Sequence, residues 1–320
     1  MGLGFPDGVF LRDRAFTETR MAQDAVSVVL GAESVVIEMV RRDLHRVMNS
    51  RVVAAQRAAG SLARTAVSLL ACISLMFVAG CSVSAAPTCG TGACTRVLFL
   101  GNSFTYVNDL PSTFAQLAES AGRPVQVAMV ANGGETLAQH AASSGDLNAI
   151  SSGAWTYVVL QEQSETPATA VGRDDYTYPA ASALASKAEA IGAVPLLFMT
   201  WAHKDGLPAS GLSTYEAMQQ QIDAAYLLIA DELKVPVAPV GFTWYVVRHD
   251  HPGIDLWQDD GSHPSLAGTY LAACVFYASI FRQSPEGLSF HGGISDEEAL
   301  ALQAEADDNV VKLQTQWGLR

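Results

Sequence analysis

The sequence predicts an α/β protein, a three-layer α/β/α sandwich with a mainly parallel five-stranded sheet. Five short apolar runs rich in β-branched residues have the length of buried strands. Helix-like segments separate these runs at intervals of roughly 30 residues, which is typical of right-handed βαβ units. We find no internal repeat and no second linker after residue 95, so we expect residues 96 to 320 to form one domain.

Each predicted element has its own local signal. The predicted strands cover residues 96 to 100, 125 to 130, 156 to 161, 194 to 200 and 235 to 240. The predicted helices cover residues 110 to 122, 179 to 192, 213 to 234, 263 to 281 and 295 to 314. The first helix places Leu110, Phe114 and Leu117 on one face, and the last opens with Ser295 and Glu298 at capping-box spacing.

Residues 48 to 81 are typical of an export signal. Three arginines precede an uncharged apolar run over residues 65 to 80. The run ends in "VAGC", which resembles the lipobox of bacterial lipoproteins and implies that Cys81 is lipidated. A transmembrane anchor is the alternative, because the run is only slightly shorter than the roughly 17 to 20 residues that span a bilayer. Both alternatives place the rest of the chain outside the cytoplasm, in the cell envelope or secreted.

Residues 1 to 47 do not fit such a signal. We interpret them as an over-long gene start or a disordered segment, with translation starting at Met48 or, alternatively, at Met21. Residues 82 to 95 are rich in Ser, Ala, Pro, Thr and Gly and form a predicted linker. Within it, Cys89 and Cys94 could close a small loop in an oxidising compartment.

Composition excludes several classes of protein. The hydrophobic content of 49% is sufficient for a large core and argues against disorder. The formal net charge is −13, and the acidic excess lies after residue 81. An acidic domain repels nucleic acid and anionic membrane surfaces. We therefore expect a monomer that binds no nucleic acid and attaches to the membrane only through Cys81.

Three residues at the predicted strand ends have the chemistry of a nucleophilic enzyme. Ser103 follows the first strand at once, in "GNSFTY", and Asp260 and His263 form an Asp-x-x-His unit after the last strand. Parallel sheets bind ligands at the carboxyl ends of their strands. A serine hydroxyl needs an imidazole base that a carboxylate orients, so the three predict a catalytic triad. Taken alone, each could equally be a turn or helix-entry residue.

The order of these blocks resembles that of the SGNH, or GDSL-type, hydrolases. "GNSFT" resembles the nucleophile block of that family, "NGGET" the second block and "DGSHPS" the acid–base block, over residues 96 to 285. The resemblance implies a flavodoxin-like SGNH hydrolase fold. It also implies that Gly134 donates a backbone N–H to the oxyanion, together with Ser103.

The third block departs from the usual Gly-x-Asn-Asp. The sequence has "LQEQSE", closer to the "QGES" of carbohydrate acetylesterases in the same superfamily, which implies that Gln161 is the side-chain oxyanion donor. Gln163 is a second candidate, and the choice between them stays open. Asn102, Gln163, Trp201, His203 and Trp257 are candidate pocket residues, with core packing as the alternative for the aromatic ones.

A metal site is the weaker interpretation of "RHDHPGID". His249, His251 and Asp255 could hold an ion, but loop histidines two residues apart are a weak signal. We therefore expect neither a metal nor a cofactor. The sequence favours a serine esterase acting on a short acyl group such as acetyl, on a small molecule or a carbohydrate. The alternatives are a non-catalytic glycan-binding lipoprotein, a metal-dependent hydrolase, or an acyltransferase, lipase or thioesterase with the same triad.

Overall fold

The structure, a computed structural model, describes residues 94 to 319. The predicted export signal with Cys81 lies outside the described residues, and so do residues 1 to 47 and most of the linker. Cys94 is disulfide-bonded, but Cys89 is not among the described residues, so their pairing stays a prediction. Between residues 94 and 319 no helix combines the length and the apolar character needed to cross a membrane.

Five strands form a single sheet. They are β1 (Thr95–Gly101), β2 (Val125–Ala131), β3 (Tyr157–Leu160), β4 (Val194–Phe198) and β5 (Val237–Ala238). The order across the sheet is β2-β1-β3-β4-β5, and each neighbouring pair is parallel. The centre of the sheet is buried from both sides, as its continuous apolar runs predict.

Helices cover both faces of the sheet. In the described part of the chain they are α1 (Ser103–Tyr106), α2 (Leu110–Ser120), α3 (Leu137–Ala142), α4 (Ser144–Ser152), α5 (Tyr178–Glu189), α6 (Tyr215–Leu233), α7 (Val240–Asp250), α8 (Leu266–Phe281) and α9 (Asp296–Ala306). On one face α2 and α9 pack against α8, and on the other α3 and α4 pack against α5. The predicted three-layer α/β/α fold is confirmed.

The structure differs from the sequence prediction at the ends of several elements. Helices α1, α3, α4 and α7 lie in segments for which no helix was predicted. The last strand is only two residues long, because α7 begins at Val240. Its edge is completed by the C-terminal segment, since the Val237 N–H donates to the Trp317 carbonyl at 3.0 Å. Helix α8 begins at Leu266, with the Ser265 side chain capping its first turn at Gly268.

Candidate active site

The segments that follow the strands meet at one edge of the sheet. Gly101 at the end of β1 is in register with Ala131 at the end of β2, and Leu100 is in register with Leu160 at the end of β3. Ligands of open α/β sheets bind outside this edge. The register therefore places the predicted nucleophile, oxyanion and third-block segments side by side.

Ser103 is the first residue of α1 and is half-buried. Asn102 caps this helix, because its side chain accepts a hydrogen bond from the Phe104 N–H at 3.1 Å. The Asn102 amide also donates to the Glu135 carbonyl at 2.9 Å. The first N–H groups of a helix have no partner within it, and within residues 94 to 319 the Ser103 N–H meets no acceptor. Ser103 thus combines a hydroxyl with an unpaired N–H.

Gly101 is required by close packing rather than by its backbone conformation. A Cβ at this position would overlap the Thr105 hydroxyl and lie 2.5 Å from Gln161 Oε1. Those two atoms are hydrogen-bonded to each other at 2.9 Å directly beside the strand end. The glycine before Asn102 therefore leaves room for the side chains that hold the start of α1.

Asp260 and His263 form a directly bonded pair. The distance between His263 Nδ1 and Asp260 Oδ2 is 2.6 Å, and Asp260 Oδ1 accepts the N–H groups of Ser262 and His263 at 2.9 Å each. Partial burial raises the pKa of Asp260, but these three hydrogen bonds and the imidazole charge outweigh it and lower the pKa to about 2. The carboxylate therefore stays ionised and orients the imidazole so that Nε2 is the free nitrogen.

The loop that carries His263 packs directly against α1. The Phe104 ring, next to Ser103, meets the imidazole edge-to-face at 6.0 Å between ring centres. Just after α1, the Asn108 amide donates to the Pro264 and Ser265 carbonyls at 2.9 and 3.1 Å. The structure therefore brings the Asp260–His263 pair to the same part of the sheet edge as Ser103, although 156 residues separate Asn108 from its first partner.

Gly134 lies in a tight turn between β2 and α3. The Glu135 N–H donates to the Asn132 carbonyl at 3.2 Å, and Gly134 has a φ of +69°, a conformation that favours glycine. The residue is exposed, and its N–H meets no acceptor in the described part of the chain. Gly134 therefore offers a second unpaired N–H, beside the loop that carries Ser103.

Gln161 has a different role from the one expected. Its side chain is completely buried, and Oε1 accepts the Asn102 N–H at 2.8 Å and the Thr105 hydroxyl at 2.9 Å. Its Nε2–H donates to the Glu162 carbonyl. The Asn102 N–H can only donate, which fixes the orientation of the amide. The expectation that Gln161 is an oxyanion donor is therefore corrected. Its side chain instead supports residues 101 to 105, the nucleophile loop, which contains Ser103.

The side chains of Gln163 and Asn102 also make hydrogen bonds to the nearby backbone instead of lining a pocket. Gln163 Oε1 accepts the N–H groups of Glu165 and Thr166 at 2.9 and 3.1 Å and so closes the turn after β3. Asn102 is only 2% exposed, and both ends of its amide are bonded within the protein. β3 ends at Leu160, so a strand pleat does not predict where Gln163 points.

Trp201 and Trp257 belong to an aromatic stack beneath the site, which corrects their assignment as pocket walls. Trp201 is fully buried and lies face-to-face between Phe104, at 4.4 Å, and Trp244, at 4.1 Å. Its Nε1–H donates to the Ser262 carbonyl at 3.0 Å. Trp257 packs edge-on against Trp244. The stack therefore supports both α1 and the loop of the Asp260–His263 pair.

His203, a predicted pocket residue, remains partly accessible, with 20% of its side chain exposed. Its Nε2 lies 2.9 Å from the Ser164 hydroxyl, and Nδ1 lies 4.0 Å from Glu165. Burial lowers the pKa of His203, the charges of Glu165 and Asp260 oppose this, and the charge of His263 adds to it. His203 therefore shares the electrostatic environment of the Asp260–His263 pair.

A buried cluster that was not predicted from the sequence lies between the end of β1 and α3. His140 is completely buried, with Nε2 at 2.9 Å from the Gly101 carbonyl and Nδ1 at 2.7 Å from Asp146 Oδ2. Glu162, in the segment after β3, is also buried, and its carboxylate accepts the Leu137 N–H at the start of α3. One available signal was Thr136 and Gln139 at capping-box spacing, which predicts the start of α3.

The residues of "RHDHPGID" have separate partners. His249 contacts Asp250 at 2.6 Å, His251 contacts Glu305 at 3.0 Å, and Asp255 accepts the Trp257 N–H at 3.3 Å. His249 is the penultimate residue of α7, a helix that the sequence analysis treated as a loop at this point. Each of the three side chains thus has a different hydrogen-bond partner.

Comparison with known proteins gives the family. No family model matches the chain, and no curated protein is similar to it. A solved structure from Slackia heliotrinireducens, of a protein assigned to the SGNH hydrolases, is 32% identical over 57% of this chain and 97% of that chain, with a TM-score of 0.49. A DUF4886 family protein from Bacteroides uniformis is 20% identical over 68% of this chain and 94% of that chain, and its TM-score of 0.54 shows the shared fold.

Together with the parallel sheet order, the 32% sequence identity over nearly the whole of the Slackia protein confirms the resemblance that the sequence motifs indicated. The chain belongs to the SGNH hydrolase superfamily, a group of ester-bond hydrolases.

Proposed function

We propose that this chain is a serine esterase that removes a short acyl group, such as acetyl, from a carbohydrate through a Ser103–His263–Asp260 triad. The observation that carries the catalytic part is the hydrogen bond between the Asp260 carboxylate and His263, on a loop whose imidazole contacts Phe104 next to Ser103. The acyl and sugar parts rest on the similarity of "LQEQSE" to the acetylesterase block, which is an analogy.

In the first step Ser103 Oγ attacks the ester carbonyl carbon while His263 Nε2 takes the hydroxyl proton. Asp260 holds Nδ1 and stabilises the imidazolium that forms. The unpaired N–H groups of Ser103 and Gly134 donate to the tetrahedral oxyanion. The C–O bond to the alcohol then breaks, and His263 returns its proton to the leaving alkoxide, so that an acyl-enzyme and a free alcohol remain.

In the second step a water molecule attacks the acyl carbon, and His263 again acts as the base. The bond to Ser103 Oγ breaks, the serine recovers its proton from the imidazolium, and a carboxylic acid leaves. A sugar hydroxyl in place of this water would give acyl transfer with the same groups. Analysis of the products therefore distinguishes an esterase from an acyltransferase.

We also propose that the enzyme acts outside the cytoplasm, attached through a lipid on Cys81. The support is the export-type sequence of residues 48 to 81 and the disulfide bond of Cys94, since disulfides persist in oxidising compartments. Metabolic labelling with a radioactive fatty acid tests the anchor, with Cys81→Ser as the control. An equal label in both proteins would contradict it.

The test of the catalytic proposal is turnover of p-nitrophenyl acetate by the protein and by two serine variants. Ser103→Ala is expected to lose at least about 1,000-fold in kcat/KM, because it removes the nucleophile. Ser151→Ala is the matched control, because this serine is exposed on α4 and its hydroxyl donates to the Leu147 carbonyl one turn earlier. Equal rates for wild type and Ser103→Ala would overturn the proposal.

Two further measurements separate the alternatives. A metal-dependent hydrolase would lose activity to a chelator and tolerate Ser103→Ala, whereas the triad is expected to be insensitive to the chelator. A glycan-binding lipoprotein would bind acetylated polysaccharide without releasing acetate. We expect acetate release from acetylated sugars, and the absence of release from every acetylated sugar tested would contradict the carbohydrate assignment.

A further inference from the structure

The His140 cluster lies beneath the candidate active site, and no step of the proposed mechanism uses it. His140 is on α3, and its two ring nitrogens have different hydrogen-bond partners. One is Asp146 on α4, and the other is the carbonyl of Gly101, the last residue of β1. The imidazole is completely inaccessible, and the side chain of Asp146 is only 13% exposed. The contacts are therefore those of a closed, internal cluster.

The hydrogen-bond partners determine the protonation of the ring. The Gly101 carbonyl has no hydrogen to donate, so His140 Nε2 must carry a proton to bond it at 2.9 Å. Asp146 Oδ2 lies 2.7 Å from Nδ1, while Asp146 Oδ1 accepts the Ser143 hydroxyl at 2.8 Å. When Asp146 is ionised, Nδ1 must also donate, and the ring is then an imidazolium. When the shared proton lies on Asp146 instead, Nδ1 accepts and the ring is neutral.

The carboxylates around the ring favour the imidazolium form. Besides Asp146, the carboxylate of Glu135 lies 3.6 Å from Nε2. Glu162 lies near His140 from the segment after β3, but burial raises its pKa, so it adds less negative charge. A neutral ring beside an ionised Asp146 would leave a lone pair directed at an oxygen, which is unfavourable in a buried place. Glu135, His140 and Asp146 also have the spacing of a metal site, but an imidazolium has no lone pair to offer an ion.

The same cluster connects the two segments that supply the proposed oxyanion donors. His140 bonds the carbonyl that precedes Asn102 and Ser103, and Glu135 accepts the Asn102 amide through its backbone carbonyl. The carboxylate of Glu135 accepts the Asn132 N–H at 3.1 Å and so closes the turn that contains Gly134. A displacement of His140 would therefore move the Ser103 N–H and the Gly134 N–H relative to each other.

We propose that His140 is a positioning residue that Asp146 holds as a buried imidazolium. It fixes the nucleophile loop relative to the turn of residues 132 to 135, which contains Gly134. The proposed protonation state of His140 does not depend on the reaction, whereas its proposed effect on the rate rests on the proposed esterase function. Because a misplacement of about 1 Å can cost about 100-fold in rate, we expect His140→Gln to lower kcat by about 10- to 100-fold with little change in KM.

Nitrogen NMR of ¹⁵N-histidine-labelled protein at about pH 7.5 tests the protonation, since an ordinary histidine is mostly neutral there. We expect both His140 nitrogens to show the imidazolium shift and attached protons, and the signals to be assigned by their loss in His140→Gln. In Asp146→Asn the ring is expected to become neutral with Nε2 still protonated, because the bond to Gly101 remains. An unprotonated Nδ1 in the wild-type protein would overturn the imidazolium.

Ester turnover by the same variants tests the positioning. Asp146→Asn is expected to lose less activity than His140→Gln, because it keeps the hydrogen bond to Gly101. His249→Gln is the matched control, since that histidine also pairs with an aspartate but is exposed on α7. A folded His140→Gln protein with wild-type kcat would refute the positioning role. A wild-type protein that turns over no ester would instead contradict the proposed function and leave the NMR result standing.

Discussion

Asp223 on α6 gives a quantitative prediction about stability. Its carboxylate is partly buried, and its hydrogen-bond donor is the Gln219 amide at 2.8 Å. The same amide accepts the Ala202 N–H at 2.7 Å and donates to the Thr200 carbonyl at 3.2 Å, so it holds the segment after β4 that leads to His203. Burial raises the pKa of Asp223 from 3.8 to about 6, opposed by the Gln219 hydrogen bond.

The sign of the effect follows from proton linkage. The folded protein binds this proton more tightly than the unfolded chain, so the stabilisation from Asp223 is complete below about pH 3.8 and is lost as the pH rises through about 6. A shift of about two pKa units corresponds to about 3 kcal/mol, which is an upper limit because the side chain is not completely buried. An asparagine at this position can still accept the hydrogen bond from the Gln219 amide.

Urea unfolding of wild type and Asp223→Asn at several pH values checks this. We expect the variant to be more stable by about 1 kcal/mol at about pH 4.5, and by up to about 3 kcal/mol at about pH 7.5. Asp231→Asn is the control, because this aspartate is exposed on the same helix. A stability difference that does not change with pH would refute the reasoning.

Three further predictions concern the candidate site. Gly101→Ala is expected to lower the free energy of unfolding by about 1 to 3 kcal/mol in urea, since the added methyl has no room; an unchanged value would show that the loop can shift. Trp201→Phe removes the hydrogen bond to the Ser262 carbonyl, whereas the indole N–H of Trp244 has no partner among the described residues. In the same assay Trp201→Phe is therefore expected to lower the free energy of unfolding by about 1 kcal/mol more than Trp244→Phe does. Equal losses of stability in the two variants would exclude a role for that bond. Asp260→Asn is expected to lower kcat/KM by about 1,000- to 10,000-fold on p-nitrophenyl acetate, because the imidazole beside it loses its orienting carboxylate; a decrease of less than tenfold would contradict the triad.

The parts of the fold predicted correctly are those with local signals. The central strands β1, β3 and β4 are short, apolar and covered on both faces, so composition alone identifies them. The Asp260–His263 pair is three residues apart, and its contact is therefore also local. Helix α3 was not predicted, although it has a capping-box signal at Thr136, because a six-residue helix is too short to show a clear periodicity.

The parts that were wrong depend on contacts between distant segments. Gln161 bonds Asn102, 59 residues earlier, and nothing in "LQEQSE" indicates that its amide turns inward. Trp201 donates to a carbonyl 61 residues later and is buried by rings from two other helices. The partner of His140 Nε2 is a backbone carbonyl 39 residues away, a contact that no side-chain motif can reveal.

The central claim is that Ser103 is the nucleophile, and the most direct measurement is peptide mass spectrometry after reaction with a fluorophosphonate ester. We expect one covalent adduct per chain, located on the peptide that contains Ser103, and a much slower reaction in His263→Ala because the base is missing. An adduct on another serine, or labelling of Ser103 at the same rate without His263, would contradict the account.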